Sequence, residues 1–147
     1  MPTVAVNKRA NFDYTILETY EAGLVLTGQE VKSIKAGQLS LKGSYVVIKK
    51  NEAWLINSHL PPYKMAGKPE GYDPDRNRKL LLHKKEIKTL IGKSQEQGLT
   101  LVPLKVYTKR NQIKLEFAVA RGKKKIDKRE LIKKREIQKK IKTIRKN

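Results

Sequence analysis

The sequence predicts a mainly β protein in which a small closed antiparallel β-barrel with two or three flanking helices precedes a basic C-terminal tail. Short runs rich in β-branched and aromatic residues follow one another through turns, whereas a doubly wound α/β fold would need crossover helices between them. Antiparallel sheets of this size tend to close, because closure removes exposed edges. We therefore expect an oligonucleotide-binding-type (OB-like) barrel in residues 1–120 and a separate tail in residues 121–147.

Two β-hairpins are predicted in the first half of the chain. Residues 14–28 hold two β-rich runs around a Gly-containing turn at residues 21–23. Residues 39–48 and 53–60 are also β-rich, and a short polar connection joins them. The large aromatic side chains of this second hairpin are expected to face the core: Tyr45 and Trp54.

Two helices are predicted within the body. Residues 29–36 place apolar side chains three apart and stop at Gly37, which is typical of a short helix capped by glycine. This helix would lay Glu30 and Ser33 on an exposed side. Residues 83–97 keep the i, i+3, i+4 apolar spacing of an amphipathic helix.

A third hairpin is predicted at the end of the body, from residues 100–107 and 112–120. Its second strand has the clearest pattern in the chain, because these apolar residues alternate strictly with their neighbours: Ile113, Leu115, Phe117 and Val119. Residues 61–77 contain four of the six prolines and no sustained periodicity, so they are expected to form the longest irregular loop.

The tail is distinguished by its charge. Residues 121–147 hold 14 Lys or Arg and three acidic residues, a net +11 of the chain's +20. Such a charge seeks a polyanion. Asp127 and Glu130 form a capping-box pattern, and isoleucines beyond them share one helical face. Because like charges repel and short isolated helices are marginal, we expect a tail that is disordered when free and helical when bound.

Several classes of protein are disfavoured by the sequence. The longest apolar runs are only a few residues, so a membrane span is not expected. The N-terminus lacks an apolar signal core and cysteine is absent, so a cytoplasmic location is expected. His59 and His83 are the only histidines and lack companion ligands, so no metal site is expected. Gly122 is interpreted as a flexible joint, because no Gly-rich loop precedes it to suggest a nucleotide cofactor.

Three functional alternatives remain open on the residues alone. The tail on its charge alone is typical of a nonspecific nucleic-acid arm, and a ribosomal-protein-like component is a further, milder option. An enzyme acting on RNA, such as a magnesium-dependent nuclease, would have to use Asp73 and Asp75 in the Pro-rich loop. Two carboxylates in such a loop without a companion base are more typical of turn formers.

Separated motifs along the chain resemble those of a known family. They are Asn7-Lys8-Arg9-Ala10, residues 21–28 running into 30–33, residues 78–82, and Gly122-Lys123-Lys124 followed by Asp127-Lys128-Arg129. In this order and over about residues 6–146, they resemble the SmpB family, small bacterial proteins that bind transfer-messenger RNA in trans-translation.

The resemblance implies a nonenzymatic adaptor without a cofactor. An OB-type barrel would hold the tRNA-like domain of transfer-messenger RNA, and elongation factor Tu with GTP would deliver the complex to ribosomes stalled without a codon in the A site. The tail would enter the empty mRNA channel as a helix and so sense the vacancy. Synthesis would then switch to the RNA's own reading frame and tag the nascent peptide.

The resemblance also assigns roles to residues. RNA contacts are expected from Asn7, Lys8, Arg9, Glu30, Lys32, Ser33, Arg78, Lys79, Lys123 and Lys124. Contacts with 16S rRNA at the decoding centre and mRNA channel are expected from Ile126, Asp127, Lys128, Arg129, Lys133, Lys134, Arg135, Ile137, Lys140 and Ile144. Family members often carry an aromatic or imidazole side chain where this chain has Ile126, so a stacking role there does not carry over.

Overall fold

A computed structural model of the chain describes residues 2–64 and 71–123. Within these ranges the chain forms seven strands and three helices. In chain order they are β1 (Thr3–Val6), α1 (Ala10–Asp13), β2 (Tyr14–Leu24), α2 (Gly28–Lys35), β3 (Tyr45–Lys49), β4 (Glu52–Ile56), β5 (Arg78–Leu81), α3 (Lys84–Gln95), β6 (Leu99–Lys109) and β7 (Gln112–Gly122).

The strands close into an antiparallel ring. Neighbours pair in the order β6, β3, β4, β5, β2, β7, and pairing of β7 with β6 completes the circle. Strand β6 is long enough to divide its other edge, pairing with β3 at Leu101 and with β1 at residues 105–107. The prediction of a mainly β, OB-like barrel with flanking helices is confirmed. Among the described residues, no helix has the length and apolarity needed to cross a membrane.

The interior of the ring is filled by the inward positions of each strand. The predicted alternation in β7 is confirmed, since Ile113, Leu115, Phe117 and Val119 are all buried. The Phe117 ring stacks on Tyr20 with centroids 5.7 Å apart. Apolar side chains from α2 and α3 join the same core, so both helices pack against the barrel.

The two hairpins predicted at residues 39–60 and 100–120 are confirmed, although the strands of the first are shorter than expected. Each turn places two non-glycine residues at positive φ: Lys50 and Asn51 at 51° and 60°, and Arg110 and Asn111 at 51° and 64°. This pair of angles matches the right-handed twist of the flanking strands. Asparagine tolerates the conformation better than most side chains, which favours these sequences at the turns.

The predicted hairpin at residues 14–28 is wrong. Residues 14–24 form one continuous strand, β2, which pairs with β7 along its length and with β5 at its end. Gly23 therefore lies within a strand, where a Cβ would be 3.5 Å from the Cβ of Leu81. A side chain there would meet Leu81 at an ordinary contact distance, so Gly23 is compatible with a strand interior, and the sequence pattern does not distinguish this from a turn.

Both helices predicted in the body are confirmed. Helix α2 begins after Thr27, whose hydroxyl accepts from the Glu30 backbone N–H while the Glu30 carboxylate accepts from the Thr27 N–H, a complete capping box. The chain turns away at Gly37, which has a φ of 78°. Helix α3 follows His83, whose backbone N–H donates to Glu86 Oε1 at 3.2 Å.

Two predicted side-chain placements and one joint are corrected by the structure. Tyr45 and Trp54 do not face the core, because Val46, Ala53 and Leu55 occupy the inward positions of β3 and β4. Side chains alternate along a strand, so their neighbours must point outward. Gly122 is no joint, since it pairs with Tyr14 at the end of β7.

Candidate RNA interface

A cleft of about 700 Å³ lies between the N-terminal segment 6–10 and the loop 39–45. The side chains of Lys8, Arg9 and Lys42 line it. All three are exposed, so their charged groups are accessible to a ligand and the fold does not bear the cost of burying them. The cleft thus collects cations from two separate parts of the chain, and Lys42 is a member that the sequence did not predict.

Hydrogen bonds to β6 fix the N-terminal wall of the cleft. The Asn7 side chain donates from Nδ2 to the Pro103 carbonyl at 2.9 Å, and the Asn7 N–H donates to the Leu104 carbonyl at 2.8 Å. Asn7 therefore positions this segment. Arg9 lies 4.8 Å over the Phe12 ring and 3.4 Å from the Asp13 carboxylate, which holds its guanidinium beside the cleft.

Lys123 brings the end of β7 to the same place. Its backbone N–H donates to the Asp13 carbonyl at 2.9 Å, and its Nζ donates to the Asn11 carbonyl at 2.6 Å. Asp13 also lines the cleft. The structure therefore gathers four of the predicted RNA contacts, which are far apart in sequence: Asn7, Lys8, Arg9 and Lys123.

Glu30, Ser33 and Arg78 are placed differently from the prediction. Glu30 is only 1% exposed, and the other two are fully buried, so the exposed helix side predicted for Glu30 and Ser33 is wrong. Arg78 Nε donates to Glu30 Oε2 at 2.9 Å, and Ser33 Oγ donates to the Pro61 carbonyl at 2.7 Å. These side chains hold α2, β5 and the start of the loop at residues 61–77 together.

Arg78 also satisfies several acceptors around it. Its Nη1 donates to Ser58 Oγ at 2.9 Å and to the Arg76 carbonyl at 3.0 Å, and its Nη2 donates to the Pro74 carbonyl at 3.2 Å. An arginine can be buried at tolerable cost when its donors are paired in this way. In this position Arg78 has no surface from which to contact RNA.

Arg76 is the residue of this cluster that sequence reasoning missed. Its Nη2 donates to Glu30 Oε1 at 2.5 Å, while its side chain stays 39% exposed. No local pattern marks it, because Arg76 lies in the irregular stretch before β5 and its partner Glu30 is 46 residues away in the sequence. Arg76 therefore links the buried Glu30 carboxylate to the protein surface.

The family model described as "SmpB protein" matches residues 4–147. The chain belongs to the SmpB family. The SsrA-binding protein of Sulfurihydrogenibium sp. (strain YO3AOP1) is 57% identical over 138 residues, covering 94% of this chain and 90% of that protein. The SsrA-binding protein of Trichodesmium erythraeum (strain IMS101) is 53% identical over 133 residues, covering 90% and 85%.

A solved structure is also similar. A chain from "tmRNA-SmpB: a journey to the center of the bacterial ribosome" superposes with a TM-score of 0.68 and is 49% identical, covering 82% of this chain and 84% of that one. The SmpB family assignment therefore rests on both sequence and fold.

The remaining predicted contacts of this SmpB-family chain fall into two groups. Lys32 is exposed on α2, and Lys79 is 40% exposed on β5 with its Nζ 3.4 Å from Glu52 Oε1. The others lie outside the described residues, so their roles stay predictions: Lys124, Ile126, Asp127, Lys128, Arg129, Lys133, Lys134, Arg135, Ile137, Lys140 and Ile144.

The aspartates of the Pro-rich loop serve the loop itself. Asp73 Oδ1 accepts from the Asp75 backbone N–H at 2.9 Å, which confirms the turn-forming interpretation. Asp75 Oδ1 lies 2.7 Å from His59 Nδ1. This exposed pair links the loop to the segment that follows β4.

Burial and charge act in opposite directions on Glu30. Burial alone would raise the pKa of this carboxyl, but hydrogen bonds from Arg76 and the Thr27 N–H, together with the charges of Arg78 and Arg76, outweigh it and hold the pKa below 4.5, its ordinary value. A lowered pKa in the folded state means that ionised Glu30 stabilises the fold above pH 4.5.

The stability contributed by ionised Glu30 should therefore be lost as pH falls through the folded-state pKa. We expect the free energy of unfolding of the wild type to exceed that of Glu30→Gln at neutral pH, with the difference shrinking below about pH 4.5. Urea unfolding of both proteins between pH 7 and pH 3 measures it. A difference that is constant across this range would contradict an ionised, arginine-paired Glu30.

Proposed function

We propose that this chain is a nonenzymatic adaptor that binds the tRNA-like domain of transfer-messenger RNA and brings it to stalled ribosomes. The observation that carries the proposal is the cationic cleft. The relatives of this chain are named SsrA-binding proteins, and the similar solved structure is described as tmRNA-SmpB in the bacterial ribosome. A ribosomal partner also leads us to infer a cytoplasmic location.

The cleft would bind RNA mainly through its phosphates. Lys8, Arg9 and Lys42 each supply a cation at the cleft, and Lys123 adds a fourth next to Asp13. Cations that neutralise phosphates release condensed counterions, which gives affinity without reading sequence. Specificity would then come from the fixed shape of the cleft, which Asn7 maintains by bonding to β6.

The tail would supply the ribosomal half of the function. With 12 Lys or Arg in residues 124–147, it matches the phosphate-lined walls of an empty mRNA channel in charge, and neutralisation there would remove the repulsion that opposes a helix. Elongation factor Tu with GTP would join through the RNA. In this scheme the protein positions partners and catalyses no reaction.

A mobility-shift comparison tests the body's part in this function. At about 0.15 M salt, the full chain should bind the tRNA-like domain about tenfold or more tighter than an ordinary tRNA, a difference of about 1.4 kcal/mol. The double substitution Lys8→Ala with Arg9→Ala should weaken binding to the tRNA-like domain, because two phosphate contacts are lost.

The matched control removes the same charge elsewhere. Lys84 and Lys85 are exposed at the start of α3 and lie outside the lining of the cleft. Substituting both with alanine should leave the preference for the tRNA-like domain unchanged. Equal losses in the two double variants would show that net charge, and not the cleft, determines affinity.

A further inference from the structure

The outer surface of strands β3 and β4 carries large apolar side chains. Along each strand, alternate side chains point inward, and Val46, Ala53 and Leu55 fill the barrel interior. The side chains between them point outward and form two cross-strand pairs, Tyr45 with Ile56 and Val47 with Trp54. We refer to this surface as the outer patch: Tyr45, Val47, Trp54 and Ile56.

These side chains are apolar or aromatic, yet all four remain partly exposed to water. Tyr45 is 41% exposed, and the other three are half-buried. Aromatic residues on adjacent strands would stabilise the fold more if they faced inward, where they would be removed from water. Outward aromatic side chains on a small barrel are the usual platform for the faces of unstacked bases.

Cations lie next to the outer patch. Lys79 of β5 pairs in register with Trp54, and it keeps 40% of its side chain exposed beside Glu52. Lys49 ends β3 two residues after Val47 and is exposed. Aromatic faces with lysines at their edges suit a strand that presents both bases and phosphates, and they suit an acidic protein less well.

The outer patch is continuous with the cleft. Tyr45 belongs to both, because it lines the cleft beside Ser44 and begins the row that leads to Trp54. An RNA segment leaving the cleft along this edge would pass directly over the outer patch.

We propose that the outer patch is a stacking site for unpaired bases of RNA, with Trp54 and Tyr45 as the stacking side chains and Lys79 as a phosphate contact. This inference rests on the proposed function and adds to it, since it names a class of ligand, single-stranded RNA, for a surface separate from the cleft cations. Stacking tolerates any base, because every base has a π-face. The site would therefore hold an unpaired segment without reading its sequence.

Tryptophan fluorescence gives a direct test, because Trp54 is the only tryptophan in the chain. The full chain is titrated with a single-stranded oligoadenylate and, separately, with inorganic polyphosphate of similar charge. We expect saturable quenching by the oligonucleotide and none by polyphosphate, since only bases stack. Unquenched Trp54 fluorescence at oligonucleotide concentrations that saturate binding, as measured by anisotropy of labelled RNA, would overturn the proposal.

Variants separate stacking from charge. Trp54→Ala should bind single-stranded RNA about 5- to 150-fold more weakly, the range for loss of one stacked base, at every salt concentration and with an unchanged log–log salt slope. Trp54→Phe should recover most of the affinity. Lys79→Ala should instead make the slope shallower by about 0.7, because one phosphate contact is lost.

Leu17→Ala is the control, since Leu17 is an exposed apolar residue on β2 outside the outer patch, and it should bind like the wild type. Thermal unfolding confirms that each variant is folded. Folded Trp54→Ala with wild-type affinity would overturn the proposal, as would Trp54→Phe no better than Trp54→Ala. Failure of the proposed function is separate, because it would appear as a lost preference for the tRNA-like domain over tRNA in the wild type.

Discussion

Replacing Glu30 with alanine should lower the free energy of unfolding by about 3–5 kcal/mol. The substitution leaves Arg78 fully buried with its positive charge uncompensated. The remaining partners of Arg78, which are carbonyls and the Ser58 hydroxyl, accept hydrogen bonds but carry no opposite charge. The capping box of α2 is lost as well, because the Glu30 carboxylate also accepts from the Thr27 N–H at 3.0 Å.

Glu52→Ala is the matched control. Glu52 also accepts from a basic side chain, Lys79, at 3.4 Å, but the two side chains keep 44% and 40% of their surface exposed to water. Exposed pairs of this kind contribute about 0–1 kcal/mol. Urea unfolding of the two variants should therefore separate them clearly. If Glu30→Ala is destabilised no more than Glu52→Ala, the buried cluster does not hold α2 against β5.

This destabilisation changes how a loss of RNA binding by Glu30 variants would be read. If Glu30 contacts RNA directly, its substitution should weaken binding at every temperature at which the protein is folded. If Glu30 instead positions Arg76 and the loop, its substitution should weaken binding and stability together. Glu30→Gln should then retain more binding and more stability than Glu30→Ala. The burial of Glu30 favours the second reading.

The barrel could be predicted from sequence because its signals are local. Alternation in β7 and the two-residue turns at Lys50–Asn51 and Arg110–Asn111 depend on neighbours in the chain. The three elements that were missed, β1, α1 and β5, are four residues each, too short for a periodic pattern. Pairing with distant strands stabilises the two strands among them.

The errors at the site have a different physical origin. Glu30 and Ser33 look like an exposed helical face because the groups that bury them, Arg78 and Pro61, lie 48 and 28 residues away. The side of the sheet on which Trp54 and Tyr45 lie is set by which neighbours fill the barrel, and both alternating sets of this hairpin are apolar. Lys42 reaches the cleft because β3 pairs with β6, the strand to which Asn7 bonds, and this pairing joins parts of the chain that are far apart in sequence.

Deleting residues 124–147 should abolish tagging on stalled ribosomes while leaving a folded body that binds RNA. The cut follows the end of the described barrel, since β7 runs to Gly122 and the Lys123 N–H donates to the Asp13 carbonyl. The deletion removes 12 Lys or Arg, so several phosphate contacts are lost together, and tagging should fall by on the order of 100-fold or more. The cleft cations remain, so the preference for the tRNA-like domain over tRNA should persist.

A second variant separates charge from helix formation. Substituting Ile137, Ile141 and Ile144 with serine keeps every charge of the tail but removes its apolar stripe. If the tail must form an amphipathic helix to act, this variant should tag poorly although it still binds RNA. If charge alone suffices, it should tag like the wild type.

A reconstituted translation reaction separates the roles of body and tail: an mRNA without a stop codon is translated with transfer-messenger RNA and either the full chain or residues 1–123. Tagged peptide and RNA binding are measured on the same preparations. We expect tagging only with the full chain and selective binding of the tRNA-like domain by both proteins. Normal tagging by residues 1–123, or no selective binding by either protein, would contradict this expectation.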